Sequence, residues 1–295
     1  MNRIDKLYSR EMIHAIRRKY GFEVSKKLGQ NFIMDGDVID DIVCGSDAEG
    51  AVVVEIGPGI GTLTRAIAQE AERVIAVELD PRLIPILQDT LGDLDNLTLI
   101  NGDVLKVDLQ EVISDAKRAG GAAKARIIGN LPYYITTPII MKLLSKDTGA
   151  DSITAMMQKE VAERLLAEPG TKKCGAISYA VSYRCRAAKI RDVDRNCFYP
   201  APKVDSTIIR LDFRDEPAVA AVNKALFFRC IRAGFSQRRK TLRNSLQSMQ
   251  GYDRQAIDEA LGAAGIDGKR RAETLSLQEF ADLTKGLEMA DKWKK

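Results

Sequence analysis

Glu55-Ile-Gly57-Pro-Gly59-Ile-Gly61 joins an apolar run at residues 51–56 to a helical pattern at 62–70. The near-continuous apolar run is what a parallel strand buried on both faces needs. A strand, a glycine turn and a helix make the opening unit of a doubly wound sheet. Downstream the alternation continues, with strands expected at 73–78, 97–101, 125–129 and 152–158. Helices are expected at 82–90, 138–145, 161–167 and 175–184. Two late strands, 188–193 and 204–211, flank a proline-rich turn and predict an antiparallel edge on a mostly parallel sheet. Upstream, residues 3–20 read as a polar helix and 36–44 as a short amphipathic one.

Phe213-Arg-Asp-Glu-Pro217 reads as a linker, followed only by helical periodicity at 218–232, 236–247, 253–261 and 276–286. The expected division is an N-terminal extension at 1–24, an α/β domain at 25–214 and a small helical domain at 215–295. From residue 215 onward there are 15 Lys and Arg against 11 Asp and Glu, and in residues 1–30 there are 8 against 3. The middle holds 22 against 27, so basic ends flank a mildly acidic centre. That asymmetry fits a polyanion met at the ends, or ordinary solvated charge.

Several function classes drop out. The five cysteines (Cys44, Cys174, Cys185, Cys197 and Cys230) include no CxxC pair, so neither a disulfide framework nor a zinc site is indicated. His14 is the only histidine and reads as a solvated helix residue, which removes His-based triads. No metal site is expected. No apolar stretch could span a bilayer, and Met1-Asn-Arg-Ile-Asp-Lys6 shows no secretory pattern. A reducing cytoplasm and a monomer are expected.

The glycine loop fails the dinucleotide fingerprint, because the sixth position from Gly57 is Thr62. It resembles instead the loop of class I S-adenosylmethionine methyltransferases, where Gly57, Gly59 and Gly61 pass close to the donor. By itself it is equally a tight strand-to-helix turn. Glu78 ends the second strand, where a carboxylate can accept from ribose hydroxyls. Asp103 follows the third strand, where it can accept from an adenine amino group. Three such features at successive strand ends outweigh the bland reading of each.

Asn130-Leu131-Pro132-Tyr133 follows the fourth strand. The Asn130 side-chain carbonyl and the Leu131 backbone carbonyl could both accept from one exocyclic amine. Pro132 stiffens the turn, and Tyr133 offers a face for stacking. In the proline-rich turn, Phe198 is a candidate second face and Lys203 a candidate phosphate contact. Arg232, Arg238, Arg239, Lys240 and Arg243 form a candidate RNA ridge, with Arg239 and Arg243 sharing a helix face and Phe235, Leu242 and Leu246 turned inward. The Lys26-Lys27 pair is similar, and Lys292-Trp-Lys-Lys295 reads as a loose tail.

Over residues 25–285 the chain resembles the KsgA/Dim-type ribosomal RNA adenine dimethyltransferases. The resemblance rests on Lys27-Leu-Gly29-Gln-Asn31-Phe, the 55–61 loop, Glu78-Leu-Asp80, Gly102-Asp103, residues 130–134, residues 198–206 and Phe235-Ser-Gln-Arg238-Arg239-Lys240-Thr-Leu-Arg243-Asn244. It implies a class I Rossmann-like sheet with a helical C-terminal domain, and S-adenosyl-L-methionine as donor, leaving S-adenosyl-L-homocysteine. It implies double methylation of N6 on two adjacent adenines near the 3′ end of 16S rRNA, in the small subunit or its precursor. It also implies that Asn31, Ile33, Gly57, Glu78, Asp103 and Asn130 line the donor site. Ile33 stands where the family commonly has Leu. The rival readings are a large-subunit rRNA adenine methyltransferase conferring antibiotic resistance, a non-catalytic assembly factor on the same scaffold, and a small-molecule or DNA adenine methyltransferase. The 200–206 and 235–240 segments favour the small-subunit reading.

Overall fold

A computed structural model describes residues 7–25, 27–220, 223–237 and 239–292. The described chain forms two compact units. One comprises Met1–Ala162 with Ala188–Phe213, and the other Glu163–Ala187 with Arg214–Lys295.

The first unit is built on a seven-stranded sheet. Its leading elements are α1 (Arg10–Tyr20), β1 (Phe32–Ile33), α2 (Gly36–Ser46), β2 (Val52–Ile56), α3 (Thr62–Glu70), β3 (Arg73–Glu78), α4 (Ile84–Leu91) and β4 (Leu97–Asn101). Then come α5 (Leu109–Gly120), β5 (Ala125–Asn130), α6 (Thr136–Ser145), β6 (Ser152–Gln158) and α7 (Lys159–Leu166). After α8 (Ala176–Arg184) follow β7 (Cys185–Val193), β8 (Phe198–Tyr199) and β9 (Ser206–Phe213). The sheet order is β4-β3-β2-β5-β6-β9-β7. Every pair from β4 to β6 is parallel, and β6 pairs β9 antiparallel. This is the predicted doubly wound sheet with its antiparallel edge.

The topology sets the site. From β2 the chain runs one way through β3 to β4, then returns to lay β5 on the other side of β2. Strand order therefore reverses between β2 and β5, and the helices after those strands diverge. A crevice must open outside their carboxyl ends, beside the 57–61 loop and Asn130. The central strand β2 is dry along its length. Val52, Val53 and Val54 are each fully buried, contributing about 2 kcal/mol apiece. One face of the sheet packs on Val38 and Ile42 of α2 and Ile67 of α3.

Local chemistry explains several boundaries. Ser9 caps α1 by accepting from the Met12 amide, and Gly21 ends it in the left-handed region. Ile13 and Ile16 of α1 pack with Phe22, Phe32, Leu83 and Leu87. The helix starts at Arg10 rather than 3, and residues 3–6 lie outside the described set. Helix α5, absent from the sequence expectation, is capped by Asp108 and buries only Leu109, Ile113 and Ala116. A two-stranded ribbon of β1 and β8 is also new.

The second unit adds α9 (Lys224–Phe235), α10 (Leu242–Leu246), α11 (Arg254–Ala263) and α12 (Leu277–Lys292). It also holds α8, whereas a division at residue 214 would assign residues 163–187 to the sheet. The reason is aromatic. Tyr179 and Tyr183 of α8 are buried with Phe227 and Phe280, and the Tyr179 hydroxyl donates to the Leu275 carbonyl. Helix α9 begins at Lys224 instead of 218, with residues 221–222 outside the described set. Helix α10 covers only five residues of the expected 236–247.

Candidate active site

The crevice is a cleft with about 980 Å³ of non-atom space, its open mouth included. Its floor is the glycine loop. Gly57 and Gly59 both hold a positive φ, 71° and 63°, which only glycine adopts without strain. A Cβ on Gly59 would come 3.1 Å from the Phe32 ring, whereas one on Gly57 would meet nothing within 4 Å. Gly57 thus leaves a cradle that a side chain would fill. Gly61 does different work from the expected donor contact. It precedes α3 at φ 91°, its missing Cβ makes room for Leu91, and it does not line the cleft.

Beside the loop stand buried carboxyls. Glu78, at the end of β3, accepts from the Asp80 amide at 2.8 Å and the Gly59 amide at 3.3 Å. Burial nevertheless pushes its pKa up to about 7. Glu55, on β2, is only 1 % exposed and its Oε2 has no hydrogen-bond partner. Burial, with the neighbouring Glu78 charge adding, raises its pKa to about 8. The Thr64 hydroxyl sits against that carboxyl and draws its pKa back somewhat without completing a hydrogen bond. Thr62 Oγ1, on another cleft residue, is likewise buried without a partner. Native proteins rarely leave such atoms unmet. Asp103 follows β4 and spends one carboxylate oxygen on the Leu105 amide.

Residues 28–33 line the cleft from another side. Gln30 ties this segment to the end of β3. Its Oε1 accepts from the Ser25 amide and its Nε2 donates to Asp80 at 2.9 Å. The adjacent Arg82 guanidinium holds the Asp80 carboxyl below its ordinary range, against the effect of burial. Asn31 donates to the Gly29 carbonyl, and its own carbonyl accepts from Asn130 Nδ2 at 2.9 Å. That last bond fixes which way the Asn130 amide faces: the nitrogen is engaged, and among the described residues no donor reaches Oδ1. Pro132 accepts from the Ile135 amide and the Thr136 hydroxyl, which sets the turn. The Tyr133 hydroxyl shares a 2.7 Å hydrogen bond with Ser206, and burial raises its pKa.

Asn31, Ile33, Gly57, Gly59, Glu78, Asp103, Asn130, Pro132 and Tyr133 all line this one cleft. The Leu131 side chain is buried outside it. Phe198 is not a second stacking face here. It is 1 % exposed, lies opposite Ile33 in the ribbon and belongs to the core around Val38 and Ile42. Sequence reasoning passed over Tyr134, half exposed on the cleft, and Gln30 and Glu55 as site residues in their own right. Lys203 is exposed. Arg232, Arg239 and Lys240 are exposed on the second unit, but Arg239 and Lys240 precede α10 rather than lie on it. Arg243 therefore shares no helix face with Arg239, and both its Nε and Nη2 are engaged by Asp258. Phe235, Leu242 and Leu246 pack inward as expected. Arg238, Lys26 and residues 293–295 lie outside the described residues.

The family model described as ribosomal RNA adenine dimethylase matches residues 21–288. The chain is 48 % identical over 282 residues to the ribosomal RNA small subunit methyltransferase A of Clostridioides difficile, covering 95 % of this chain and 96 % of that one. It is 47 % identical to the protein of the same name from Alkaliphilus metalliredigens, covering 96 % and 98 %. Among solved structures, a dimethyladenosine transferase from Plasmodium falciparum matches with a TM-score of 0.71 at 24 % identity, covering 88 % of this chain and 98 % of that one. The 23S rRNA methyltransferase ErmE matches at 0.64 and 26 %, covering 87 % and 99 %. The sheet is thus of the class I methyltransferase kind, and the chain belongs to the ribosomal RNA adenine dimethylase family.

Proposed function

We propose that the chain dimethylates N6 of two adjacent adenines near the 3′ end of 16S rRNA, in the small ribosomal subunit or its precursor. The methyl donor is S-adenosyl-L-methionine. One observation carries the reading: the Asn130 amide, oriented by Asn31, shares a cleft with the Gly57–Glu78–Asp103 strand ends. The small-subunit assignment rests on relatives at 48 and 47 % identity, against 26 % for the large-subunit enzyme.

The residues fit the donor. Gly57 leaves open space at the loop, and Glu55 and Thr62 leave buried polar atoms unmet. Glu78 would take the ribose hydroxyls, Asp103 the adenine amine, and Asn31 and Ile33 would close over them. When bound, S-adenosylmethionine supplies an electrophilic methyl group on a sulfonium.

The chain's own work is positioning. A target adenine must leave its stack to reach the cleft. Asn130 Oδ1 and the Leu131 carbonyl accept the two N6 hydrogens, which favours a pyramidal nitrogen with its lone pair exposed. Tyr133, braced by Ser206, stacks on the ring, worth about 1–3 kcal/mol per base. Phe198 does not touch the base; it packs in the core and pairs with Ile33, which lines the cleft. Rate then comes from orientation and fixed dipoles. The methylated amine loses its proton to water, and rotation of the product presents the remaining hydrogen for the second transfer.

We further propose a monomer in a reducing cytoplasm. None of the five cysteines forms a disulfide. Among the described residues no helix is long and apolar enough to cross a membrane. The deciding experiment incubates the protein with labelled S-adenosylmethionine and unmethylated small subunits, then maps the modified bases. Label confined to large-subunit RNA would favour the resistance enzyme. Donor binding with no product would favour a scaffold role.

A further inference from the structure

We propose that Arg10, His14 and Arg17 of α1, gathered around Tyr199, form a site for a backbone phosphate of the substrate RNA. The proposal rests on the ribosomal RNA reading above. The three residues stand four and three positions apart, on one side of the helix. All converge on a single ring. The guanidinium carbons of Arg10 and Arg17 lie 5.8 and 5.7 Å from its centroid. The His14 ring meets it edge-on at 5.1 Å. Arg17 Nη1 also donates to the Tyr199 hydroxyl, while its Nε is buried without a partner.

Among the described residues, no carboxylate pairs with this cluster. Three other cations of this unit do have carboxylate partners: Lys19 with Asp89, Arg82 with Asp80, Arg191 with Asp41. Among the described residues, neither Arg10 nor Arg17 has a carboxylate partner. The two permanent charges lie within about 12 Å of each other, and the face of one tyrosine compensates them only in part. An anion would complete the cluster. A phosphodiester suits it best, because guanidinium forks take phosphate oxygens in pairs. The location is also apt. Tyr199 lies opposite Phe32, and the next pair of the ribbon is Phe198 with Ile33, a cleft residue. A phosphate held here would belong to the strand that delivers the adenine. The basic excess of residues 1–30 then has a local use.

Arg10→Gln is the first test, since that side chain is exposed. Equilibrium binding to unmethylated small subunits is measured from about 0.05 to 0.3 M KCl. The dissociation constant should rise about 5- to 10-fold near physiological salt, and the slope of log K against log salt should flatten by about 1. Arg10→Lys should keep most of the affinity, and donor affinity should not change in either variant. Unchanged affinity and slope in Arg10→Gln and in the Arg10→Gln/His14→Gln double variant would overturn the proposal. So would normal subunit binding with weakened donor binding, which would make α1 a structural strap only. Wild-type protein that binds subunits but methylates none would refute the enzymatic reading instead, because this measurement needs no turnover.

Discussion

Glu55→Gln should make the protein more stable, and increasingly so as pH rises. The carboxyl lies on β2, 1 % exposed, with Oε2 unpartnered. Its pKa moves from 4.5 to about 8, chiefly through burial. A raised pKa means the folded chain holds a proton that the unfolded chain releases. The associated stability is fully present below pH 4.5 and is lost as pH climbs through 8. At roughly 1.4 kcal/mol per unit, the loss is on the order of 3 kcal/mol at pH 7 and 5 kcal/mol at pH 8. Glutamine keeps the shape and removes the titration, and the Thr64 hydroxyl, with no partner of its own, can accept from the new amide. Urea unfolding of both proteins, followed by circular dichroism from pH 5 to 9, reads the difference. Glu78, pushed to about 7, tilts both curves, and its charge is part of what raises Glu55, so the gap reads Glu55 together with that coupling. The gap should widen by several kcal/mol between pH 5 and 8. Parallel curves would show that Glu55 ionises in the folded state as it does in the unfolded chain, and the electrostatic description of the cleft floor would fail.

Asn130→Ala should cut methyl transfer at least about 100-fold, the scale of losing one oriented polar group. Donor affinity by equilibrium dialysis should change only a few-fold, and normal turnover would remove Asn130 from its role. Tyr133→Ala should cost about 10- to 100-fold in kcat/KM through lost stacking, whereas Tyr133→Phe, which loses only the Ser206 bond, should cost under about 10-fold. Equal losses would place the role in the hydroxyl rather than the ring. Joint replacement of Arg239 and Lys240 by Ala should weaken subunit binding and flatten its salt dependence. Arg243→Ala should do so less, because Asp258 already occupies that guanidinium; the opposite order would contradict the ion pair.

What the sequence revealed and what it hid divide along physical lines. The strand ends bearing Gly57, Glu78, Asp103 and Asn130 were legible because each is a local signal, and parallel topology leaves them one side to face. The missed helix α5 has a thin apolar stripe, although Asp108 and Gly121 mark its ends. Phe198 misled because its burial depends on pairing with Ile33, 165 positions earlier, through strands of two residues each. Such strands carry no readable period. Arg243 reads as part of the ridge, because its partner Asp258 lies on another helix, beyond any local pattern. Gly61 looks identical to Gly57 in the motif, and only the position of Leu91 separates their duties.

The bond from Asn130 to the Asn31 carbonyl gives the enzyme a built-in interlock. In the proposed arrangement, the strip over the methyl source also sets the aim of the group that would grip the recipient base. An engineer who loosens residues 28–33 to admit a bulkier donor should therefore expect poorer aim at the nucleobase, and should redesign both together.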